Sequence, residues 1–169
     1  MAEQEVMQEW MKIAQPGKEH QLLAEHAGKW IMTMRASMAP EEHPAEGKGT
    51  SSIRSLLSGR IIAEEIHGQF GDMPFEGFGS MGFDNFRKKF WQTWSDWMTG
   101  LYYAEGTVSA DGKTLTFAGK MDRPEQNRKN VDTRTVYRFL DKDHFIFEMY
   151  TREPDGKELK GLEIDYRRK

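Results

Sequence analysis

Residues 77–98 read GFGSMGFDNFRKKFWQTWSDWM, and the interpretation of this stretch decides the fold. Its first six residues match the dinucleotide-binding pattern G-x-G-x-x-G, which holds a pyrophosphate only between an apolar strand and a helix. The preceding GQFGDMPFE has the composition of a loop. The aromatic residues from 83 to 97 fall near a helical period, but Asp84-Asn85 is a turn signal and Thr93 and Ser95 suit a pleated sheet. We therefore interpret the stretch as a β-hairpin and not as a nucleotide site.

A four-residue loop at 85–88 would set the pairing of this hairpin. The opposed residues are then Gly79 with Trp94, Gly77 with Asp96 and Gly82 with Trp91. Glycine in a strand leaves room for a large neighbour, so these glycines are predicted to accommodate indole rings. One face of the hairpin is mostly apolar with two polar groups, which is the composition of a small-molecule cavity. That face carries Phe75, Gly77, Gly79, Met81, Phe83, Phe90, Gln92, Trp94, Asp96 and Met98.

The rest of the chain divides into a helical start and a long series of strands. Helical spacing over EVMQEWMKI and KEHQLLAEHAGKW predicts two short helices, and alternation of period two begins at Trp30. Asp-Gly turns and polar loop tips separate the later strands, which we place near 47–58, 59–69, 75–84, 89–98, 100–109, 113–122, 130–140, 143–152 and 157–168. Serial hairpins predict an antiparallel up-and-down β-barrel of about ten strands, because closure removes the sheet edges. We assign 1–27 to a helical segment that packs on or closes the barrel, and 28–169 to the barrel domain.

Composition excludes several classes of function. The chain has 169 residues, which suits one domain, and a net charge of −3 with scattered basic residues argues against a nucleic-acid partner. Without cysteine there is no disulfide framework, thiolate nucleophile or cysteine-bound metal. The acidic, amphipathic N-terminal residues lack the features of a secretory signal, and no run of about 20 apolar residues predicts a membrane span. We expect a cytoplasmic protein.

The segment Gly28-Lys29-Trp30, which enters the first strand after a short helix, resembles the G-x-W signature of lipocalins and their calycin relatives. The resemblance implies that Trp30 plugs one end of the barrel and that an arginine from the last strand stacks on it. Arg168 is the preferred partner because it shares a face with Ile164 and Tyr166, and Arg167 is the alternative if a bulge shifts the phase. Over nearly its whole length, the chain also resembles a bacterial family of uncharacterised, single-domain, calycin-like proteins. The segments that carry this resemblance are EHQLLAEHAGKW, PFEGFGSMGFDNFRKKF, EGTVSADGKTLTF and FIFEMYTREPDGKELKGLEIDYRR.

The main functional hypothesis is a barrel that binds a small apolar or aromatic molecule. Methionines on inward positions, such as Met32 and Met81, suit an adaptable cavity, although ordinary core packing also explains them. Gln92 and Asp96 would orient a polar group of the ligand. The predicted ligand wall consists of Phe90, Trp94, Met98, Tyr103 and Tyr137.

Two alternatives come from other classes of function. An enzyme could use Asp96 with Glu105 or Glu76 for general acid and base chemistry, because a carboxyl buried in a strand would have a perturbed pKa. A solid barrel could instead be an interaction module in which outward Trp91 and Trp97 dock a partner. These two tryptophans would form an apolar patch, so we expect the N-terminal helices or a second subunit, as in a homodimer, to cover them.

The five histidines predict no metal site. They are dispersed, His20 and His26 cannot share a helix face at a spacing of six, and no H-E-x-x-H is present. Haem is the one cofactor alternative, since a barrel with a single inward histidine could ligate iron through His67 or His144.

Overall fold

The computed structural model describes residues 3–37 and 43–169 and shows a closed barrel of ten antiparallel strands. Two helices precede the barrel, α1 (Glu3–Ala14) and α2 (Lys18–Ala24). A single 3-10 turn spans Pro124–Gln126. The strands are β1 (Gly28–Ala36), β2 (Ala45–Leu56), β3 (Ile61–Phe70), β4 (Met73–Asp84), β5 (Lys89–Asp96), β6 (Tyr102–Val108), β7 (Thr114–Arg123), β8 (Arg128–Asp141), β9 (His144–Arg152) and β10 (Glu158–Arg168).

Each strand pairs with its neighbours in the chain, and β1 closes the barrel by pairing with β10. The up-and-down topology predicted from the serial hairpins is confirmed. Gly112 and Gly156 adopt φ angles of +73° and +85°, the left-handed conformation that Asp-Gly turns require. We call the end of the barrel beside α2 the helix end, and the opposite end, which includes the 97–101 and 153–157 connections, the far end.

The 77–98 hairpin has the predicted register, with Gly79 paired to Trp94, Gly77 to Asp96 and Gly82 to Trp91. The Asp84 carboxylate organises the loop by accepting hydrogen bonds from the backbone N–H groups of Phe86 and Arg87, both at 2.9 Å. Because both halves are strands, no helix begins at the glycine motif. The interpretation as a hairpin is confirmed, and the motif lacks the geometry of a pyrophosphate cradle.

At the helix end, Leu23 of α2 packs in the hydrophobic core and the Trp30 side chain is fully buried. The Trp30 indole N–H donates to the His26 carbonyl at 3.0 Å, and the Arg168 guanidinium lies 4.3 Å from the centre of the indole ring. The stacking contact expected from the resemblance is therefore present, with Arg168 as the partner. Position 28, beside this contact, requires glycine. The φ angle of Gly28 is +148°, and a Cβ on this residue would lie 2.4 Å from Arg168 Nη1.

Helix α1 forms over the predicted residues but buries none of them. Its C-terminal end is held by two hydrogen bonds, from Arg60 Nε to the Ala14 carbonyl and from Asn85 Nδ2 to the Ile13 carbonyl, both 2.7 Å. Among the described residues, no helix is long and apolar enough to cross a membrane.

Candidate functional site

Polar side chains from six strands meet inside the barrel, about midway along its axis. We call this group the inner polar cluster, and it consists of Ser51, Glu64, Gln92, Tyr102, Thr135, Tyr137 and Tyr166. All seven lie at inward positions of β2, β3, β5, β6, β8 and β10, in phase with buried residues such as Ile53 and Ile66. Two hydrogen-bonded groups can be distinguished within it, one around Glu64 and one around Gln92.

Glu64 is a carboxyl group inside an otherwise largely apolar barrel. Ser51 Oγ donates to Glu64 Oε1 at 2.7 Å, and the Tyr166 hydroxyl also bonds to this carboxyl. Burial raises the pKa of Glu64, and the two hydrogen bonds oppose that rise. Burial likewise raises the pKa values of Tyr137 and Tyr166 well above the usual tyrosine range, with the Glu64 charge adding to the effect.

The second group is a short chain of hydrogen bonds. The Tyr137 hydroxyl donates to Gln92 Oε1 at 3.1 Å, and Gln92 Nε2 donates to Thr135 Oγ1 at 2.6 Å. The Tyr102 hydroxyl lies beside Gln92 and Thr135, within the range of hydrogen-bonding interactions that oppose the rise in its pKa, but it forms no hydrogen bond of good geometry with any described residue. Tyr102 is only 6% exposed, so a ligand could offer this hydroxyl a better hydrogen bond than the described residues do.

The interior beside this cluster is not completely filled by side chains. Glu64, Trp94, Tyr137 and Phe147 point inward, yet each is only partly buried. In a tightly packed barrel core, inward side chains would keep almost no accessible surface. Two of these side chains are aromatic neighbours, since the rings of Tyr137 and Phe147 lie 5.0 Å apart. The cluster therefore borders space with an aromatic wall.

The other inward-facing charged side chains of the described strands lie at the barrel ends, and each has partners. At the far end, Arg123 pairs with Glu125 and Glu153 and donates to Thr151 Oγ1 at 2.7 Å. At the helix end, Arg168 pairs with Asp143 at 2.8 Å. By contrast, Glu64 forms no ion pair with any described residue.

Trp94 and Asp96, two predicted ligand residues, contact each other. Trp94 Nε1 donates to Asp96 Oδ2 at 2.8 Å, while Asp96 Oδ1 accepts from the backbone N–H groups of Met98 and Thr99. The indole occupies the space over Gly77 and Gly79, where a Cβ would lie 2.2 Å and 2.7 Å from ring carbons. Asp96 therefore orders the turn after β5 and positions Trp94.

Three predicted residues lie away from the inner polar cluster. Tyr103 points outward, is 47% exposed and donates to Glu105 Oε1 at 3.0 Å, so its assignment to the interior wall is corrected. Met98 follows the end of β5 and is 52% exposed, which also removes it from the wall. Phe90 points inward but packs at the helix end, where its ring centre lies 4.9 Å from that of Phe83.

The predicted catalytic carboxylates do not converge. Glu105 lies on the outer face with Arg87 and Lys89, and the hydrogen bond from Arg87 lowers the pKa of Glu105. Glu76 is exposed on the outer face beside His67. Although Glu76 and Asp96 border one groove, the three carboxylates share no buried site.

That groove has a volume of about 1000 Å³ and follows β3, β4 and the end of β5. Exposed apolar side chains line part of it, including Trp97 at 59% and Phe78 at 48% exposure. Trp91 lies elsewhere on the outer face, partly buried, with its ring over Gly82. The N-terminal helices do not cover Trp97, which remains exposed, and its covering by a second subunit stays a prediction.

Neither histidine considered for haem points into the barrel. His67 is exposed beside Glu76, and His144 Nε2 lies 2.9 Å from Asp165 Oδ2 on the outer side of β9 and β10. The inner polar cluster contains no histidine, so the expected ligation of haem iron through His67 or His144 has no inward residue to provide it. The described residues contain no group of three or more His, Cys, Asp or Glu side chains able to hold a metal ion.

Sequence reasoning named two members of the cluster, Gln92 and Tyr137, and missed Ser51, Glu64, Tyr102, Thr135 and Tyr166. A signal for Glu64 was present, because it alternates in phase with Ile62 and Ile66 while Glu65 does not. The sequence assigned Tyr103 rather than Tyr102 to the inner face. Which of the two points inward depends on the residue at which β6 begins after the 97–101 connection. A shift of one residue exchanges the inner and outer faces.

Comparison with known proteins identifies the family. A family model described as a protein of unknown function, DUF1579, matches residues 15–168. The chain belongs to the DUF1579 family. No curated protein matches it at a significant level.

Several solved structures match the chain at low sequence identity. The crystal structure of Rv2717c from M. tuberculosis superposes with a TM-score of 0.67 at 14% identity, covering 92% of this chain and 99% of that one. A redesigned β-barrel, mFAP0, bound to DFHBI gives a TM-score of 0.45 at 16% identity, covering 85% and 99%. A third structure, EF1p2_mFAP2b bound to DFHBI, gives a TM-score of 0.46 at 12% identity and covers 93% of this chain and 99% of that one. The likeness to Rv2717c shows the fold alone.

Proposed function

We propose that this protein binds a small, largely apolar or aromatic molecule inside its barrel, with the polar end of the molecule at the inner polar cluster. The observation that carries the proposal is the Tyr102 hydroxyl, which is buried without a well-formed hydrogen bond to any described residue, beside inward side chains that keep accessible surface. A buried unpaired hydroxyl costs about 1 to 3 kcal/mol, so a ligand that bonds to it recovers that free energy. Trp94, Tyr137 and Phe147 supply apolar contact area, and Gln92 provides a second polar contact.

Adjacent tyrosines in β6 provide a matched test of this proposal. Tyr102→Phe removes the inward hydroxyl, and Tyr103→Phe removes the hydroxyl of an outward neighbour. The probes are 2-naphthol and indole, with affinity measured by isothermal titration calorimetry and occupancy by native mass spectrometry. We expect Tyr102→Phe to weaken binding of 2-naphthol by about threefold to tenfold, the value of one neutral hydrogen bond. Tyr103→Phe should leave the affinity unchanged.

Stability gives a second, independent measurement on the same variants. Without ligand, Tyr102→Phe should be more stable than the parent protein by about 1 kcal/mol, because it removes an unpaired buried hydroxyl. An equal effect of both substitutions on affinity would contradict the assignment of the inner polar cluster. The proposal fails altogether if neither probe binds, native mass spectrometry detects no bound molecule, and an experimental structure shows a filled interior.

A further inference from the structure

Glu64 is an inward-facing carboxyl that has no cation beside it among the described residues. The inward-facing charged groups at the two barrel ends have ionic or backbone partners, whereas Glu64 receives only the hydroxyls of Ser51 and Tyr166 among the described residues. A carboxylate offers about four lone-pair sites, so two hydroxyl donors leave it able to accept more hydrogen bonds. The side chain also keeps accessible surface inside the barrel.

Aromatic rings surround the position that a partner of Glu64 would occupy. Tyr166 bonds to Glu64 and stacks on Phe145, with ring centres 4.2 Å apart. Tyr137 lies within electrostatic range of Glu64 and forms an aromatic pair with Phe147. Ring faces attract organic cations, and this attraction increases when water is excluded.

The surroundings of Glu64 act in opposite directions on its charge. Burial favours the neutral carboxyl and is the larger effect, whereas the O–H groups of Ser51 and Tyr166 favour the ionised form. An ionised carboxylate inside a barrel is stable only when its charge is compensated. No described lysine, arginine or histidine supplies that charge, so it must come from a proton on Glu64 or from a cation on the bound molecule.

We propose that Glu64 recognises a protonated nitrogen on the ligand, so that the barrel selects aromatic amines over neutral molecules of the same shape. This inference rests on the proposed function, because it names the chemical class bound at the same site. The amine would donate to Glu64 while its ring contacts the wall that contains Tyr137 and Phe147. A neutral, protonated Glu64 that donates to a carbonyl group would produce the opposite preference.

Two pairs of probes separate these possibilities. Tryptamine is compared with 3-propylindole, and benzylamine with ethylbenzene, since each neutral molecule replaces the ammonium group by a methyl group. Calorimetry at pH 7 should show at least about tenfold tighter binding of each amine by the parent protein. Glu64→Gln keeps the shape of the side chain and should abolish that preference.

The neighbouring glutamate provides the matched control. Glu65 points outward and pairs with Arg54 at 2.7 Å, so Glu65→Gln removes the same charge one residue away without changing the interior. We expect this variant to retain the preference for amines. Circular dichroism and thermal unfolding establish that both variants are folded before affinities are compared.

The outcomes distinguish this inference from the proposed function. Equal or tighter binding of the neutral probes by the parent protein would overturn recognition of a cation while leaving ligand binding intact. A preference for amines that persists in Glu64→Gln would overturn the role of Glu64. If no member of either pair binds, the inference fails, and the 2-naphthol and indole titrations decide whether the proposed function fails with it.

Discussion

Replacing Gly77 by alanine tests the contact between the glycines of β4 and the indole of β5. An alanine Cβ would lie 2.2 Å from Trp94 Cζ2, whereas non-bonded carbon atoms normally lie about 3.5 to 4.0 Å apart. The ring would therefore have to retreat by more than about 1 Å from its present position. Its hydrogen bond to Asp96 and the backbone of Gly79 at its other edge oppose this movement.

The expected cost follows from these contacts. Overpacking a well-packed site costs about 1 to 3 kcal/mol. Loss of the hydrogen bond from Trp94 to the Asp96 carboxylate adds about 1.5 kcal/mol. Replacing glycine by alanine recovers about 0.4 to 1 kcal/mol of unfolded-chain entropy. The net destabilisation should be about 1.5 to 4 kcal/mol, which lowers the Tm of a chain of this size by about 3 to 16 °C.

Urea denaturation followed by circular dichroism measures the change, with Gly100→Ala as the control. A Cβ at Gly100 meets no heavy atom within 4 Å, so that variant should remain within about 0.5 kcal/mol of the parent protein. In a Trp94→Leu background, the Gly77→Ala penalty should fall by about 1 kcal/mol or more, because the clashing ring is absent. The steric explanation is refuted if Gly77→Ala matches Gly100→Ala, or if its penalty is the same with and without Trp94.

Three further predictions concern the barrel end and two titrating groups. Arg168→Met should lower the free energy of unfolding by about 2 to 4 kcal/mol, because it removes the cation-π contact with Trp30 and several hydrogen bonds. The control is Arg167→Met at an exposed position, which should cost less than about 0.5 kcal/mol in the same urea titration. Burial raises the pKa of Glu64, so the contribution of this side chain to stability is full below its ordinary pKa of 4.5 and is lost as the pH rises. Glu64→Gln should therefore increase the free energy of unfolding by more at pH 7 than at pH 4. A difference between the two proteins that does not depend on pH would contradict this prediction. Burial lowers the pKa of His26, so the stability of the protein should fall as the pH decreases below 6.5. NMR titration should give a midpoint for His26 below 6.5. Urea unfolding should show that His26→Gln loses less stability than the parent protein between pH 7.5 and 5.5.

Much of the hairpin geometry could be predicted from local sequence. Asp84-Asn85 marks the loop, and once its length is four residues the positions of Gly77 and Trp94 in the ladder follow by counting. The contact between Trp30 and Arg168 was also predictable, although it joins the two ends of the barrel domain, because a family resemblance supplied the pairing. The phase of β6 was not predictable, and Tyr103 was therefore assigned to the wrong face.

The sequence by itself determined the serial hairpins, the glycine positions beside the tryptophans and the alternation that puts Glu64 in phase with Ile62 and Ile66. These features depend on period-two geometry and on short turns, so neighbouring residues contain the information. Only the tertiary structure decided that, among the described residues, Glu64 has no ion-pair partner and Tyr102 has no well-formed hydrogen bond. Whether a buried polar group is paired depends on side chains from β2, β5, β8 and β10, which closure of the barrel brings together from distant parts of the chain.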